Sequence, residues 1–358
     1  MKVGIITFHW AANYGAILQA YSLVEYLRNQ YCANVEIIDY CPSNLALSYK
    51  NAIKHIRPNV VWAKIREVQK NKIVSPFRRQ LPLSKRYYSN QELICSDMTY
   101  DIILTGSDQI WNPSFLLHGE RRITPAYYLD FADEFVKKIA ISASFGCYEL
   151  PKECNKIVIP LLQQFSGLSV RENTGKEILH SLGFESVTVT ADPTALTSSE
   201  RYLKMCNPER LVAEGGISKF ILRKQPMSTK RLVRKIVQIY SKKRAANIDF
   251  LSVPDWLASI RDSKLVITNS FHCVMMCLKL HTPFAVVLEK GTRKGMNDRF
   301  FTLLKTFQLT DRIVENDCDI KKLSETIDFE KVDILMKEYS STLESFIARH
   351  LGEVDRIP

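Results

Sequence analysis

The chain has 358 residues, 46% hydrophobic and 24% charged, with a formal net charge of +11 and a pI near 9.1. That length exceeds what one hydrophobic core usually serves, so two domains are expected, and the composition excludes a disordered, collagen-like or coiled-coil chain. No apolar run reaches the roughly 18 residues that a membrane-spanning helix needs. The opening segment MKVGIITFHWAANYG lacks the apolar core and cleavage site of a signal peptide and reads as a first strand, so a cytoplasmic protein is expected.

In chain order, Val3–Phe8 is an apolar run of strand length and Gly15–Arg28 has helical spacing. Val35–Tyr40 predicts a second strand, followed by a long basic helical region. Asp101–Thr105, Lys138–Ser142 and Gly167–Val170 are three more short apolar runs, each ending in small or polar residues. Continuous apolar strands alternating with helices indicate a parallel sheet covered on both faces. The Pro/Ser/Thr-rich stretch Ala191–Ser199 (ADPTALTSS) is the expected join, giving domains 1–195 and 196–358. Beyond it, strands are expected at Lys219–Leu222, Ile248–Leu251, Lys264–Thr268 and Phe284–Leu288, with helices at Pro254–Ile260 and Phe271–Leu280. Lys331–Leu351 has helical periodicity and can pack back on the first domain. The expected fold class is therefore α/β, two Rossmann-like domains with a cleft between them.

The basic excess lies largely in Lys50–Arg86 and Arg223–Arg244. It fits solvated helix faces or a weak hold on the anionic inner face of a membrane; nucleic acid is not expected, because no nucleic-acid motif accompanies the charge. The nine cysteines are scattered and odd in number, and Cys273 and Cys277 have no second pair to complete a zinc set. Reduced thiols and no metal site are expected.

Ligands of open parallel sheets bind beyond the carboxyl ends of the strands, so the residues just after each strand are the candidates. The first such loop holds Asn13 and Gly15, whose amides at a helix start suit an anion or sugar hydroxyls; a plain strand-to-helix turn is the alternative. The next, Gly106–Pro113, places Ser107, Asp108 and Gln109 beside Trp111. Carboxylate and amide groups bind hydroxyls and an aromatic face packs on a sugar ring, although Ser107 or Asp108 could equally be a helix cap. Arg171 follows a buried strand and is either a clamp for phosphate or carboxylate or a surface side chain paired with Glu172 or another acid. Ser270 and His272 open the helix after KLVIT, where an imidazole is placed as an anion ligand or proton donor.

Five segments in order carry a wider likeness: VGIITFHWAANYGAILQAYSL, DIILTGSDQIWNP, ISASFG, SVRENTGKEIL followed by ADPTAL, and KLVITNSFHCVMMCLKLHTPF. Along nearly its whole length the sequence resembles the polysaccharide pyruvyl transferase family. The resemblance implies a two-domain fold similar to GT-B glycosyltransferases, with the first domain on the acceptor side and the second on the donor side. It also implies transfer of the enolpyruvyl group of phosphoenolpyruvate to sugar hydroxyls, usually as a cyclic ketal on cell-surface polysaccharide. Arg171 and His272 match the family positions that grip phosphoenolpyruvate. Two departures stand out. Cys273 replaces the small residue, commonly glycine, after the histidine. No lysine aligns near Met296–Arg299, so Lys290, Arg293, Lys294 or Arg299 would supply that charge.

On this reading His272 is the general acid, Arg171 the donor clamp, and Asp108 orients or deprotonates the acceptor hydroxyl. The expected partners are phosphoenolpyruvate and a sugar or lipid-linked oligosaccharide acceptor, and no step requires a metal or redox cofactor. Two other readings stand beside it. One is a nucleotide-sugar-dependent glycosyltransferase of the same fold, whose diphosphate Arg171 and His272 would hold; the other is a non-catalytic glycan-binding or scaffold protein.

Overall fold

A computed structural model of the chain describes residues 1–42, 58–113, 125–209, 216–241 and 243–352. The chain divides into one unit formed by Met1–Leu196 together with Ser340–Pro358 and a second formed by Thr197–Tyr339.

The first unit carries seven parallel strands: β1 (Lys2–Ile6), β2 (Asn34–Tyr40), β3 (Leu83–Tyr87), β4 (Ile102–Thr105), β5 (Lys137–Ala143), β6 (Phe165–Val170) and β7 (Val187–Val189). Their order is β3-β2-β1-β4-β5-β6-β7. Strands β1, β4 and β5 are buried almost throughout, as runs such as IILT and KKIAISA require when helices cover both faces. Those helices are α1 (Tyr14–Tyr31), α2 (Pro58–Arg78), α3 (Asn90–Ile94), α4 (Lys152–Leu162) and α5 (Asn173–Ser181). The order reverses between β1 and β4, which makes the loops after these two strands the walls of the switch-point crevice. There the loops touch: a Cβ added to Gly106 would lie 2.9 Å from Thr7 Cβ, so glycine is what lets them meet.

The second unit has a four-stranded parallel sheet of β8 (Ile217–Phe220), β9 (Ala246–Asn247), β10 (Leu265–Thr268) and β11 (Phe284–Val286) in the order β11-β10-β8-β9. Its switch point is between β8 and β10. The helices are α6 (Ser199–Met205), α7 (Met227–Tyr240), α8 (Val253–Arg261), α9 (Phe271–Lys279), α10 (Asp298–Thr306), α11 (Asp317–Lys322) and α12 (Phe329–Leu351). All nine residues of α9 are buried, His272 and Lys279 included, so it is an interior helix.

One expectation changes. Ile248–Leu251 is not a strand: pairing stops at Asn247, whose side chain accepts from Asp249 N, and Phe250 turns left-handed at φ 60°. The division between units follows Leu196, inside the Ala191–Ser199 stretch, where Asp192 and Thr194 are fully buried. The residues of α12 from Ser340 onward belong to the first unit, where Thr342 Oγ1 accepts from Ala191 N at 3.0 Å. His350 covers Gly167 of β6 so closely that a Cβ there would sit 2.7 Å from its ring.

The second basic stretch contains α7, which exposes Arg231, Arg234 and Lys235 and buries Thr229 and Ile236. Part of the first, 50–57, lies outside the described residues. Among the described residues no helix is long and apolar enough to cross a membrane.

Candidate active site

The loop after β1 ends in a cap. Asn13 Oδ1 accepts from Gly15 N at 3.0 Å, so the side chain expected to meet a ligand occupies the start of α1 itself. Behind it, Gln19 Nε2 donates to Thr7 Oγ1, which donates in turn to Ser107 O. Ser107 Oγ donates to Asp192 Oδ2 at 2.9 Å, and Arg171 Nη1 donates to the same oxygen at 3.1 Å. Asp192 Oδ1 accepts from Thr194 N and Oγ1. Glu172 lies 3.5 Å from Arg171 Nε and takes a hydrogen bond from Ser144 Oγ.

Arg171 thus follows β6 as expected, with a side chain that is 0% exposed and committed to interior carboxylates. Burial alone would lower its pKa, but Glu172, Asp192 and Asp108 raise it above the ordinary arginine value. The guanidinium is ion-paired, with Asp192 as a hydrogen-bonded partner, but in the interior and not at the surface where the pairing was expected.

Asp108 sits beside this network with φ 84°, a left-handed backbone at a non-glycine residue. Its Oδ1 accepts from Gln109 N, and its carbonyl accepts from Ser144 N. Such strain costs of order 1–3 kcal/mol and persists where surrounding contacts enforce it, a pattern found at functional sites. Gln109 accepts from Asn112 Nδ2 and keeps its own Nε2 buried without a hydrogen-bond partner among the described residues. Trp111 corrects the sugar-stacking expectation. It is fully buried, stacks on Tyr128 at 5.3 Å and donates from Nε1 to Tyr127 O, so it offers no face to a ring.

A second polar cluster links the ends of β1, β2 and β3. His9 Nδ1 faces Thr7 O at 3.0 Å and its Nε2 faces Asp39 Oδ1 at 2.9 Å. Arg86 Nε donates to Asp39 Oδ2 at 2.9 Å. Burial would raise the Asp39 pKa, yet the bonds from His9 and Arg86 outweigh it and hold it below the ordinary aspartate value. A depressed carboxylate contributes stability above its unfolded pKa of about 3.9 and loses it as pH falls through the folded value. Urea midpoints of the native protein and Asp39→Asn should therefore differ at pH 6 and converge below about pH 4. A gap that persists undiminished into that acid range would remove Asp39 as its cause.

In the second unit, Ser270 caps α9, its Oγ accepting from Cys273 N, and His272 is the second residue of that helix, 4% exposed. Asn269 ties the switch point together: its Oδ1 accepts from Leu222 N at 2.7 Å, and its Nδ2 donates to Leu222 O and to Glu289 Oε1 at 3.0 Å. Gln225 Nε2 also donates to Glu289, and Arg223 Nη1 lies 3.5 Å from it. The backbone N of Glu289 donates to Asn297 Oδ1, which anchors the loop after β11. Arg299, expected to bind substrate, is 8% exposed and lies over the Phe300 ring at 5.3 Å. It is an interior side chain of α10. Lys290 is exposed, and the side chains of Arg293 and Lys294 lie outside the described residues.

Among the described residues no group of three or more His, Cys, Asp or Glu is placed to hold a metal ion. The two cysteines of α9 are buried, and burial pushes the Cys277 thiol well up.

The sequence model of polysaccharide pyruvyl transferases matches residues 13–290, from the cap of α1 through both switch points. The chain belongs to the polysaccharide pyruvyl transferase family. No curated protein matches it. Among solved structures it is similar to the UDP-GlcNAc 2-epimerase of Methanocaldococcus jannaschii in complex with UDP-GlcNAc and UDP. The TM-score is 0.52 at 12% identity, over 98% of this chain and 99% of that one. A Listeria monocytogenes protein assigned as a UDP-N-acetylglucosamine 2-epimerase gives 0.56 at 13% identity, over 99% of this chain and 98% of that one. At that identity the likeness is one of fold, the GT-B type.

The part shared with the pyruvyl transferase family includes residues that motif reading left aside: Asp192, Arg223, Gln225 and Glu289. Asp192 was legible as an Asp-Pro-Thr turn start. Nothing in the spacing of the other three marked them; they meet only through the sheet order.

Proposed function

We propose that this pyruvyl transferase family member moves the pyruvyl group of phosphoenolpyruvate onto two hydroxyls of a sugar, forming a cyclic ketal and inorganic phosphate. The observation that carries the reading is His272 in the first turn of an interior helix, at the switch point of the second unit, within a family match that runs through it. The donor is assigned to this unit and the sugar hydroxyls to the carboxyl edge of the first, where Asp108 and Gln109 lie.

A proton added to the methylene carbon turns it into a methyl group and leaves an oxocarbenium-like centre at C2. The first hydroxyl adds there and gives up its proton. Phosphate departs with the C2–O bond electrons, and the second hydroxyl adds and loses its proton to close the ring. His272 supplies the proton to carbon, a role that suits imidazole because it exchanges protons near neutral pH. Asp108 orients the acceptor hydroxyl. Arg171 enters as the interior counter-ion that keeps Asp192 and the Ser107–Asp108 loop in place, acting through them on the acceptor edge.

The test is phosphate release from phosphoenolpyruvate in the presence of a mixed panel of sugars and lipid-linked oligosaccharides, with the ketal read by mass spectrometry. Acceptor-dependent release is expected. Nucleoside diphosphate release from a nucleotide sugar, with none of phosphate from phosphoenolpyruvate, would replace this reading with a glycosyltransferase. Binding of glycan without any turnover would replace it with a binding protein.

A further inference from the structure

We infer that the turn between β8 and α7 is a phosphoryl-binding site with the Arg223 guanidinium as its cation. The inference deepens the donor assignment above and rests on it for the identity of the phosphate, though not for its chemical class. Arg223 stands two residues past Ile221, at the switch point of the second sheet, where a ligand of a parallel sheet binds. Its backbone is left-handed, φ 63°, an expensive conformation for a long side chain. The surroundings enforce it. Leu222 on one side is bonded through both N and O to the Asn269 side chain, and Gln225 on the other donates from Nε2 to Leu222 O. The loop is therefore built to hold this residue in this orientation.

What it holds is a cation with capacity to spare. The Arg223 side chain is 41% exposed and approaches Glu289 Oε1 at 3.5 Å, but forms no hydrogen bond to an oxygen among the described residues. Glu289 is 4% exposed and its oxygens are supplied by Asn269 and Gln225, so the carboxylate is the fixed, buried partner and the guanidinium the accessible one. Immediately beyond, α7 starts after Pro226 with no side-chain cap, leaving the amides of its first turn open. Thr229 in that first turn is 2% exposed, and its hydroxyl has no hydrogen-bond partner among the described residues. Lys224, the next residue in the chain, is exposed, and Lys230, in the first turn of α7, is half-buried. A planar fork, open helix amides, a buried hydroxyl donor and two lysines all favour one kind of group: a phosphoryl dianion with oxygens on several sides. The same turn supplies the cation that the sequence sought among Lys290, Arg293, Lys294 and Arg299.

The experiment is calorimetric titration of inorganic phosphate into the full chain, with Arg223→Gln, Thr229→Val and Lys243→Gln, the last an exposed lysine past α7 that controls for the lost charge. Each variant is first matched to the native protein by its urea midpoint. Arg223→Gln should weaken phosphate at least about tenfold and Thr229→Val several-fold, while Lys243→Gln changes it less than about twofold. With phosphoenolpyruvate as substrate, Arg223→Gln should raise KM by a similar factor. No phosphate binding by the native protein, or equal affinities in Arg223→Gln and Lys243→Gln, would overturn the site. Should Arg223→Gln fail to fold, Thr229→Val decides alone, since native-like affinity there also overturns it. Phosphate binding that depends on Arg223, in a protein that never releases phosphate from phosphoenolpyruvate, keeps the site and discards the pyruvyl-transfer reading.

Discussion

Arg171→Ala is expected to destabilise the first unit by about 3–5 kcal/mol, the usual result of leaving buried carboxylates without their cation. Asp192 and Glu172 are 0% and 5% exposed at their side chains and have no access to water with which to replace the guanidinium. The effect should appear as a lowered urea midpoint and as a loss of roughly 10²–10⁴ in hydrogen-exchange protection along β6, if those amides exchange through unfolding of the unit. Arg171→Lys should recover only part of it, because an ammonium cannot present the planar fork. Native-like midpoint and protection in Arg171→Ala would mean that the ion pairs contribute nothing net. The practical point concerns activity. A loss of turnover in this variant would carry the structural loss of the first unit with it, so it has to be read beside the folding data.

His272→Asn should leave the fold intact and lower the rate of phosphate release at saturating phosphoenolpyruvate by about 10²–10⁴, the range a positioned general acid contributes. Asparagine keeps a hydrogen-bonding group in the first turn of α9 but has no proton to give to carbon. A fall in kcat with little change in KM is the signature of a group that acts in the transition state. A raised KM with kcat within about threefold of native would assign the imidazole to binding the donor and leave the proton to another group.

The parts of the fold that are legible in the sequence share one property. Strands β1, β4, β5, β6 and β10 are largely buried on both faces and so write continuous apolar runs. The strands missed or misplaced are edges. In β3, LSKRY exposes Lys85 and Arg86; β7 is three residues long; and β9 is two. An edge strand is held by bonds on one side and needs no apolar signature. At the site, position could be read from the sequence while direction could not. The Trp111 ring goes to the core, where it stacks on Tyr128 and meets Phe145 at a tilt. Arg171 was placed correctly at a strand end, but its partner Asp192 stood in a stretch whose Pro and Thr content reads as linker. Glu289 and Arg223 carry no motif, since their meeting depends on β8, β10 and β11 lying side by side.

The first unit is assembled from both ends of the polypeptide, with Ser340–Leu351 of α12 seated where Thr342 bonds Ala191 and His350 covers Gly167. A ribosome that has finished Leu196 has therefore not yet supplied everything this unit buries. All of Thr197–Tyr339 must be translated first, a wait on the order of ten seconds at the usual 5–20 residues per second. During that interval the surface of β6 around Gly167 is open to chaperones and to mispairing. A fragment cut at the unit boundary keeps that surface open for good, so residues 1–196 alone should be poorly soluble when expressed, whereas co-expression with the α12 segment offers the missing cover in trans.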